Sequence, residues 1–487
     1  MRHLAAALAA VALVLAAAAA ARAFDNTEPL APKQWYLQED HAWDFWPTPP
    51  QLYPVKVAIV DSGIDRDHPE FVGRIAAGRS FVDSPWYVDT QGHGTFVAGE
   101  IAANPFNGVG IAGLAFNAQL LIAKVVRSDG TVSLHGEVDA IHWAVDNGAR
   151  VVNLSLGGVR DPLDPRLDTY SPLEQAAVDY AYAKGAVVVA AVGNGPQSPA
   201  TPWPFAHYPA ALPHVIGVSA VRRDGSVPAY SNRDPVYDDL AAPGDGMFST
   251  VPRQLSTTPA CPDPGYSDCG PAEFRDAIGT SFAAPQVSAA AALLLGQDPN
   301  LTPDQVAWLL ERSATDADAA TGCGVCPPGR DRFTGWGHLD VQAALTMLTS
   351  GEPLPTPDRY EPNDDAGPWS HALPPLPRTV QATLDYWDDD VDVYRVRLSR
   401  GQRLYARLSP EVPARVPLAL WRPGTQHVVG LHAALADRVA VSRRSGGQWR
   451  LSYRAPATGV YYLEAKLRTQ SRAVVAYRLS LVRVLAS

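Results

Sequence analysis

The segment Gly279-Thr280-Ser281-Phe282-Ala283-Ala284-Pro285 runs into residues 286–295, which are almost all Ala, Val and Leu. An apolar run of that length with no polar face reads as a fully buried helix. Ser281 therefore stands at a loop-to-helix junction, beside unpaired N–H groups and a partial positive charge. Two readings compete there. Thr280 or Ser281 is a helix cap, or the Ser281 hydroxyl is a nucleophile with donors ready for the negative charge it generates. The second reading requires a base and an orienting acid elsewhere in the chain.

Outward from this segment the pattern alternates. Residues 55–60 form a β-branched run that reads as a buried strand and ends in Asp61-Ser62-Gly63. Gly92-His93-Gly94-Thr95 opens a run of small and apolar residues suited to a packed helix, and the two glycines permit close backbone approach. Strands are expected at 119–126, 150–156, 186–192 and 214–221, and helices at 136–147 and 172–183, stopped by Gly148 and Gly185. Such alternation implies βαβ units, an α/β fold with a parallel sheet covered by helices on both faces. Asp61, His93 and Asn194 fall at strand ends or helix starts, where such sheets place their sites. Residues 24–54 are rich in Trp, Tyr and Pro and read as an extended arm packed on the core.

The chain of 487 residues is too long for one ordinary core. Its 46% hydrophobic and 18% charged residues are those of a globular protein. With a net charge of −10 and no basic block, nothing points to nucleic acid or an anionic membrane as a partner. Residues 1–23 read as a signal peptide: Arg2, an apolar run over 4–21, and the small-x-small site Ala21-Arg22-Ala23. The expected location is therefore secreted, extracellular or periplasmic. In such a compartment the four Cys favour disulfides. Cys261–Cys269 with Cys323–Cys326 is the simplest of three connectivities, and a four-Cys zinc site is the alternative.

After a Pro-rich linker at 350–358, short strands separated by turns are expected at 392–398, 402–408, 416–421, 448–453, 459–466 and 473–484, an all-β sandwich or barrel over 359–487. Pro417 demotes the third of these to an edge strand. The Asp388–Asp392 acids read as a solvated acidic turn, with calcium binding as the alternative.

Val60-Asp61-Ser62-Gly63-Ile64, Gly92-His93-Gly94-Thr95, residues 153–158, residues 191–194 and Gly279–Pro285, in that order, resemble a subtilisin-type serine peptidase (subtilase, peptidase family S8) over about residues 30–350. The resemblance implies a secreted serine endopeptidase of the catalytic domain 24–349, acting on protein or peptide substrates as a monomer. Asp61, His93 and Ser281 would form the triad, with Asn194 and the Ser281 N–H holding the oxyanion. It implies that Ser155, Leu156 and Gly157 form an edge strand that pairs with extended substrate. The chemistry needs no cofactor. Glu70 and Asn107 fall where some subtilases ligate a structural calcium, the alternative being a solvated acid and a turn Asn. A narrow processing peptidase and an inactive peptide-binding homologue are the rival functions.

Departures from the family are also visible. Few residues separate the leader from the arm, so no propeptide is expected. Phe282 stands where Met is frequent, so higher peroxide tolerance is expected. The loops 160–171 and 254–276 look inserted. The segment starting Glu361-Pro362-Asn363-Asp364-Asp365, with Gly459-Val460-Tyr461-Tyr462-Leu463, resembles the bacterial pre-peptidase C-terminal domain, which is appended to secreted peptidases.

Overall fold

In the computed structural model the described residues are 26–256, 273–385, 389–429, 433, 435–469 and 474–484. The expected signal peptide, Cys261, Cys269 and Asp388 lie outside them. The chain divides into two compact units, Met1–Pro353 and Leu354–Ser487.

The first unit is built on β1 (Val55–Asp61), β2 (Ile75–Ser80), α1 (His93–Ala102), β3 (Ala118–Lys124), α2 (Leu134–Asp146), β4 (Val151–Leu154), α3 (Pro172–Ala183), β5 (Val187–Ala191), β6 (Val215–Val221) and β7 (Leu240–Pro243). Its seven strands pair in parallel in the order β2-β3-β1-β4-β5-β6-β7. Only Lys56 of β1 is exposed, because a parallel sheet is covered on both faces. Alternate β1 residues serve opposite layers. Ala58 and Val60 share a core with Ala140, Ile141, Ala177 and Val178 of α2 and α3.

An antiparallel pair, β8 (Asp245–Thr250) with β9 (Phe274–Ile278), leads to α4 (Ala284–Gln297). Helix α4 packs on α1 and on β1, β4 and β5. All but its last residue is buried, as its composition requires. α5 (Pro303–Ser313) and α6 (Val341–Thr349) complete the unit. The N-terminal arm buries Trp35, Tyr36, Trp43 and Trp46. It is anchored by Tyr36 O–H donating to the Phe248 carbonyl (3.0 Å) and Trp43 Nε1–H to that of Leu114 (2.9 Å). Cys323 and Cys326 form a disulfide with Cα atoms 5.4 Å apart, which corrects the four-Cys zinc alternative, since thiols joined to each other cannot be zinc thiolates.

The second unit comprises β10 (His371–Ala372), β11 (Arg378–Leu384), β12 (Val391–Leu398), β13 (Arg403–Pro410), β14 (Leu418–Trp421), β15 (Arg438–Val441), β16 (Arg443–Ser445), β17 (Gln448–Arg454), β18 (Gly459–Lys466) and β19 (Val475–Val484). They form two five-stranded sheets, β10-β12-β18-β14-β15 and β11-β19-β13-β17-β16. Leu, Val and Tyr from both sheets make one core, the anatomy of a β-sandwich. Two expectations are corrected here. β14 is interior rather than an edge, because it begins after Pro417 and so keeps its N–H groups for pairing. Asp392 is fully buried rather than solvated: its carboxylate accepts hydrogen bonds from Asn363 Nδ2 and from Tyr477 O–H.

Candidate active site

Asp61 ends β1, and the chain turns at once through Gly63 with φ +108°. α1 starts at His93 after Gly92, whose φ of +84° suits glycine. A Cβ on Gly94 would lie 2.3 Å from the Gly63 carbonyl oxygen, so only glycine lets the helix start rest on that turn. This contact places His93 Nδ1 at 2.9 and 3.0 Å from the two Asp61 carboxylate oxygens. An ionised carboxylate only accepts, so Nδ1 carries the proton and Nε2 is the basic nitrogen of the neutral ring. Asp61 is 2% exposed and also accepts the Ser62 N–H at 2.6 Å.

Asp89, which the sequence reading did not single out, holds this junction together. It is fully buried. Its Oδ1 accepts Ser62 Oγ–H (2.8 Å) and Gly92 N–H (2.8 Å), and its Oδ2 accepts Thr95 N–H (2.9 Å) and Oγ1–H (2.6 Å). Ser62 Oγ in turn accepts the Gly94 N–H at 2.8 Å. Beneath lies Lys124, whose ammonium donates to the carbonyls of Ser62 and Val88. Burial pulls its pKa down, while Asp89 and Asp61 oppose that shift. The Asp-x-x-Gly spacing from Asp89 to Gly92 is an Asx-turn signal that sequence reading can use.

Ser281 lies in a 3₁₀ turn, Thr280–Phe282, just ahead of α4. The helix N-cap is Ala283, without a side-chain bond, so neither Thr280 nor Ser281 caps it. Instead Thr280 donates N–H (3.0 Å) and Oγ1–H (3.2 Å) to Asn194 Oδ1. That occupies the amide oxygen and turns Nδ2 toward Gly279 and Gln197. Phe282 is buried, its ring 5.3 Å from the His93 ring and 4.5 Å from that of Phe96.

The loop bearing Asn194 is gripped from behind. Ser198 Oγ–H donates to the Asn194 carbonyl (3.0 Å) and sits 2.8 Å from His207 Nε2, while Asn232 Nδ2–H donates to the Val192 carbonyl at 3.1 Å. Burial pushes His207 down to about 4, so it is neutral at ordinary pH. Neither His207 nor Asn232 was predicted.

One open cavity of about 670 Å³ brings Asp61, His93, Asn194 and Ser281 together with Ser155, Leu156 and Gly157. Residues 129–132 face it too, which the sequence did not suggest. The 155–157 segment departs from the expected strand. β4 ends at Leu154, Ser155 turns its hydroxyl inward to accept from Asn153 Nδ2 (2.9 Å), and bridging resumes only at Gly158 with Tyr208.

Glu70 and Asn107 do meet, through Asn107 Nδ2–H to Glu70 Oε2 at 3.1 Å; Glu70 Oε1 accepts the Ile111 N–H at 2.8 Å. Burial, reinforced by Glu28, pushes Glu70 up to about 7. Glu28 joins the same loop by accepting the Gly108 N–H (3.1 Å), and its Oε2 is buried without a hydrogen-bond partner. Two buried acids and an orphaned oxygen fit a hard cation.

Among the described residues no helix is long and apolar enough to cross a membrane. A family model described as the subtilase family matches residues 54–337. Subtilisin E of Bacillus subtilis (strain 168) is 35% identical over 292 residues, 60% of this chain and 65% of that protein. The matched part thus spans just under two thirds of that relative's length. Subtilisin DY of Bacillus licheniformis is 35% identical over 291 residues, covering 60% of this chain and 90% of that protein. Among solved structures, a protease from Pseudoalteromonas arctica PAMC 21717 superposes with a TM-score of 0.54 at 26% identity, over 66% of this chain and 99% of that one. A lanthipeptide protease shares the fold with a TM-score of 0.52 at 24% identity, over 64% and 94%.

Proposed function

The chain belongs to the subtilase family of serine peptidases, and from that premise we propose that it is a secreted endopeptidase working through Asp61, His93 and Ser281. Ser281 Oγ attacks the scissile carbonyl carbon as His93 Nε2 takes its proton. Asp61 holds the Nδ1–H tautomer and stabilises the imidazolium. The tetrahedral oxyanion is held by Asn194 Nδ2–H and the Ser281 N–H. When the C–N bond breaks, His93 returns the proton to the leaving amine. Water then repeats the sequence on the acyl-enzyme with His93 again as base. The observation that carries this reading is the Asp61–His93 bond opening on the same cavity as Ser281 and Asn194.

Substrate lies extended along Leu156 and Gly157, bonded by main-chain groups, so recognition depends little on sequence. The protein acts as a monomer on protein or peptide substrates, without nucleic acid. Export rests on the leader pattern in residues 1–23. The functional parts are the catalytic domain 24–349, a linker at 350–358 and the sandwich 359–487. Glu70, Glu28 and the 107–111 loop bind a calcium that ties the loop down and takes no part in the reaction. The test is digestion of a denatured protein, with fragments mapped by mass. The full chain should cut at many internal sites and Ser281→Ala at none. Cutting that persists in Ser281→Ala overturns the assignment.

A further inference from the structure

The second unit has a strongly charged face that the peptidase chemistry does not use. In the sheet β11-β19-β13-β17-β16, Leu404, Ala406 and Leu408 of β13, Leu451 of β17 and Leu479 of β19 point into the sandwich core. The residues between them point to solvent, because side chains alternate along a strand. Six arginines stand on that outer face: Arg403, Arg407, Arg443, Arg450, Arg454 and Arg478. All are exposed. The register sets Arg403 opposite Arg454, and Arg407, Arg450 and Arg443 in one row across three strands. No Asp, Glu or Lys occupies an outward position of these five strands.

Ordinary explanations do not account for this arrangement. Charge on an edge strand guards against pairing with another sheet. That covers Arg443 of β16, but β13 and β17 are interior strands. Among the described residues, none of the six arginines has a carboxylate within ion-pair distance. Arg403 Nη1–H donates to Ser452 Oγ (3.3 Å) and Arg450 Nη2–H to Gln448 Oε1 (3.2 Å), both neutral acceptors. Like charges directly opposite on neighbouring strands destabilise a sheet. General basicity is no explanation either, since the chain carries −10. The sequence hides the patch, with no Lys/Arg run longer than two residues, because outward positions recur only at every second residue.

The layout of the face indicates what it fits. The Arg403–Arg454 pair and the Arg407–Arg450–Arg443 row are four residues apart along β13, about 14 Å at the usual rise of an antiparallel strand. Between them lie Tyr405, 46% exposed, and Val482, 43% exposed, opposite each other on β13 and β19. Guanidinium groups bind carboxylates bidentately. The exposed Tyr405 ring offers a flat apolar surface on which the C–H face of a sugar ring can stack. Anchoring in a lipid surface needs a wide apolar face beside the basic one, and here only Tyr405, Val482 and Val484 could serve. We propose that this face binds an acidic polysaccharide, a polymer of carboxylate-bearing sugars, with the arginine rows on its carboxylates and Tyr405 against a sugar ring. Bound in this way, the chain is held on an anionic matrix through a unit that contains none of the triad residues.

The experiment is calorimetric titration of the full chain carrying Ser281→Ala, to prevent self-cleavage, with polygalacturonate as the probe. Binding is expected, and it should weaken as salt rises. Arg407→Thr combined with Arg450→Thr should raise Kd at least about tenfold, since two ion pairs are lost. Threonine suits a strand and the opposed charges are gone, so the melting temperature should not fall. Tyr405→Ser should raise Kd severalfold and leave the salt dependence unchanged. Polyglutamate carries the same carboxylates without sugar rings and should bind severalfold more weakly, while neutral dextran should not bind. No binding of polygalacturonate, or binding that the folded double variant keeps, overturns the proposal. So does polyglutamate binding as tight as that of polygalacturonate, which identifies an acidic protein partner. Binding only to phosphatidylglycerol vesicles overturns it too, and identifies a lipid surface.

Discussion

Asp61 and Asp89 in the first unit, and Asp392 in the second, are three buried aspartates that solve the same problem in opposite ways. Asp89 is surrounded by backbone N–H groups and hydroxyls, and both its oxygens are satisfied. Asp61 has Ser62 N–H and the His93 ring. Their charge is stabilised by protein donors fixed before any substrate arrives, as an electrostatic catalyst requires. Asp392 instead crowds against other acids and an amide whose oxygen has no donor. A buried carboxylate needs donors or must hold its proton: protein donors surround Asp61 and Asp89, whereas burial and the neighbouring acids push the Asp392 carboxyl well above its usual range.

Four perturbations test that contrast. The largest effect is expected from Asn194→Leu, which removes the proposed oxyanion donor but leaves Asp61 and Asp89 satisfied. It should lower kcat by about 10²–10³-fold with little change in KM, a magnitude taken from the equivalent removal in a subtilisin. Steady-state kinetics on a peptide amide decides it, and an equal rise in KM would argue for a binding role. Next comes Asp89→Asn, which turns one acceptor into a donor facing Thr95. It should cost about 2–3 kcal/mol of stability in urea unfolding, because a buried network loses a charged acceptor. A change below about 0.5 kcal/mol, the size of a neutral surface substitution, would show that Asp89 is dispensable.

The third concerns Glu137 and Glu174, buried on α2 and α3. Burial pushes Glu174 up to about 7 and Glu137 well above its usual value, with Glu174 adding to the latter. A folded-state pKa above the unfolded value of about 4.3 stabilises fully below that pH and loses its contribution as pH rises through about 7. The first unit should thus be less stable at pH 9 than at pH 5, and Glu174→Gln should remove about 1–3 kcal/mol of that slope. Parallel melting curves for both proteins across this range would refute the pairing. The smallest effect is expected from Phe282→Met. It puts an oxidisable sulfur beside His93 and should leave activity unchanged until dilute peroxide inactivates it faster than the parent. Equal inactivation rates would remove Phe282 as the source of tolerance.

Much of the first unit was legible. The helix expected at 172–183 is Pro172–Ala183, and the β-branched runs became central strands because nothing else can fill a sheet buried on both faces. Asp61, His93, Asn194 and Ser281 could be found because each sits at a strand end or helix start beside glycine or a small residue. Their meeting in one cavity is a property of the fold, not of any local segment. Asp89 was missed because its Asx-turn spacing to Gly92 marks only a local turn, while its bond to Ser62, 27 residues away, carries no sequence signal. α5 was missed although Thr302 and Gln305 form a capping box ahead of Val306, Leu309 and Leu310. The acids at 388–392 misled for a different reason. Adjacent charges suggest solvent, but Asp392 is buried by Asn363 and Tyr477, which lie 29 and 85 residues away in sequence.

The most direct test of the central assignment is labelling of the folded full chain with a fluorophosphonate. The account predicts a single covalent adduct on Ser281, faster as His93 loses its proton, and absent in Ser281→Ala. No adduct on protein that is folded by circular dichroism, or an adduct on another serine that survives Ser281→Ala, would contradict it.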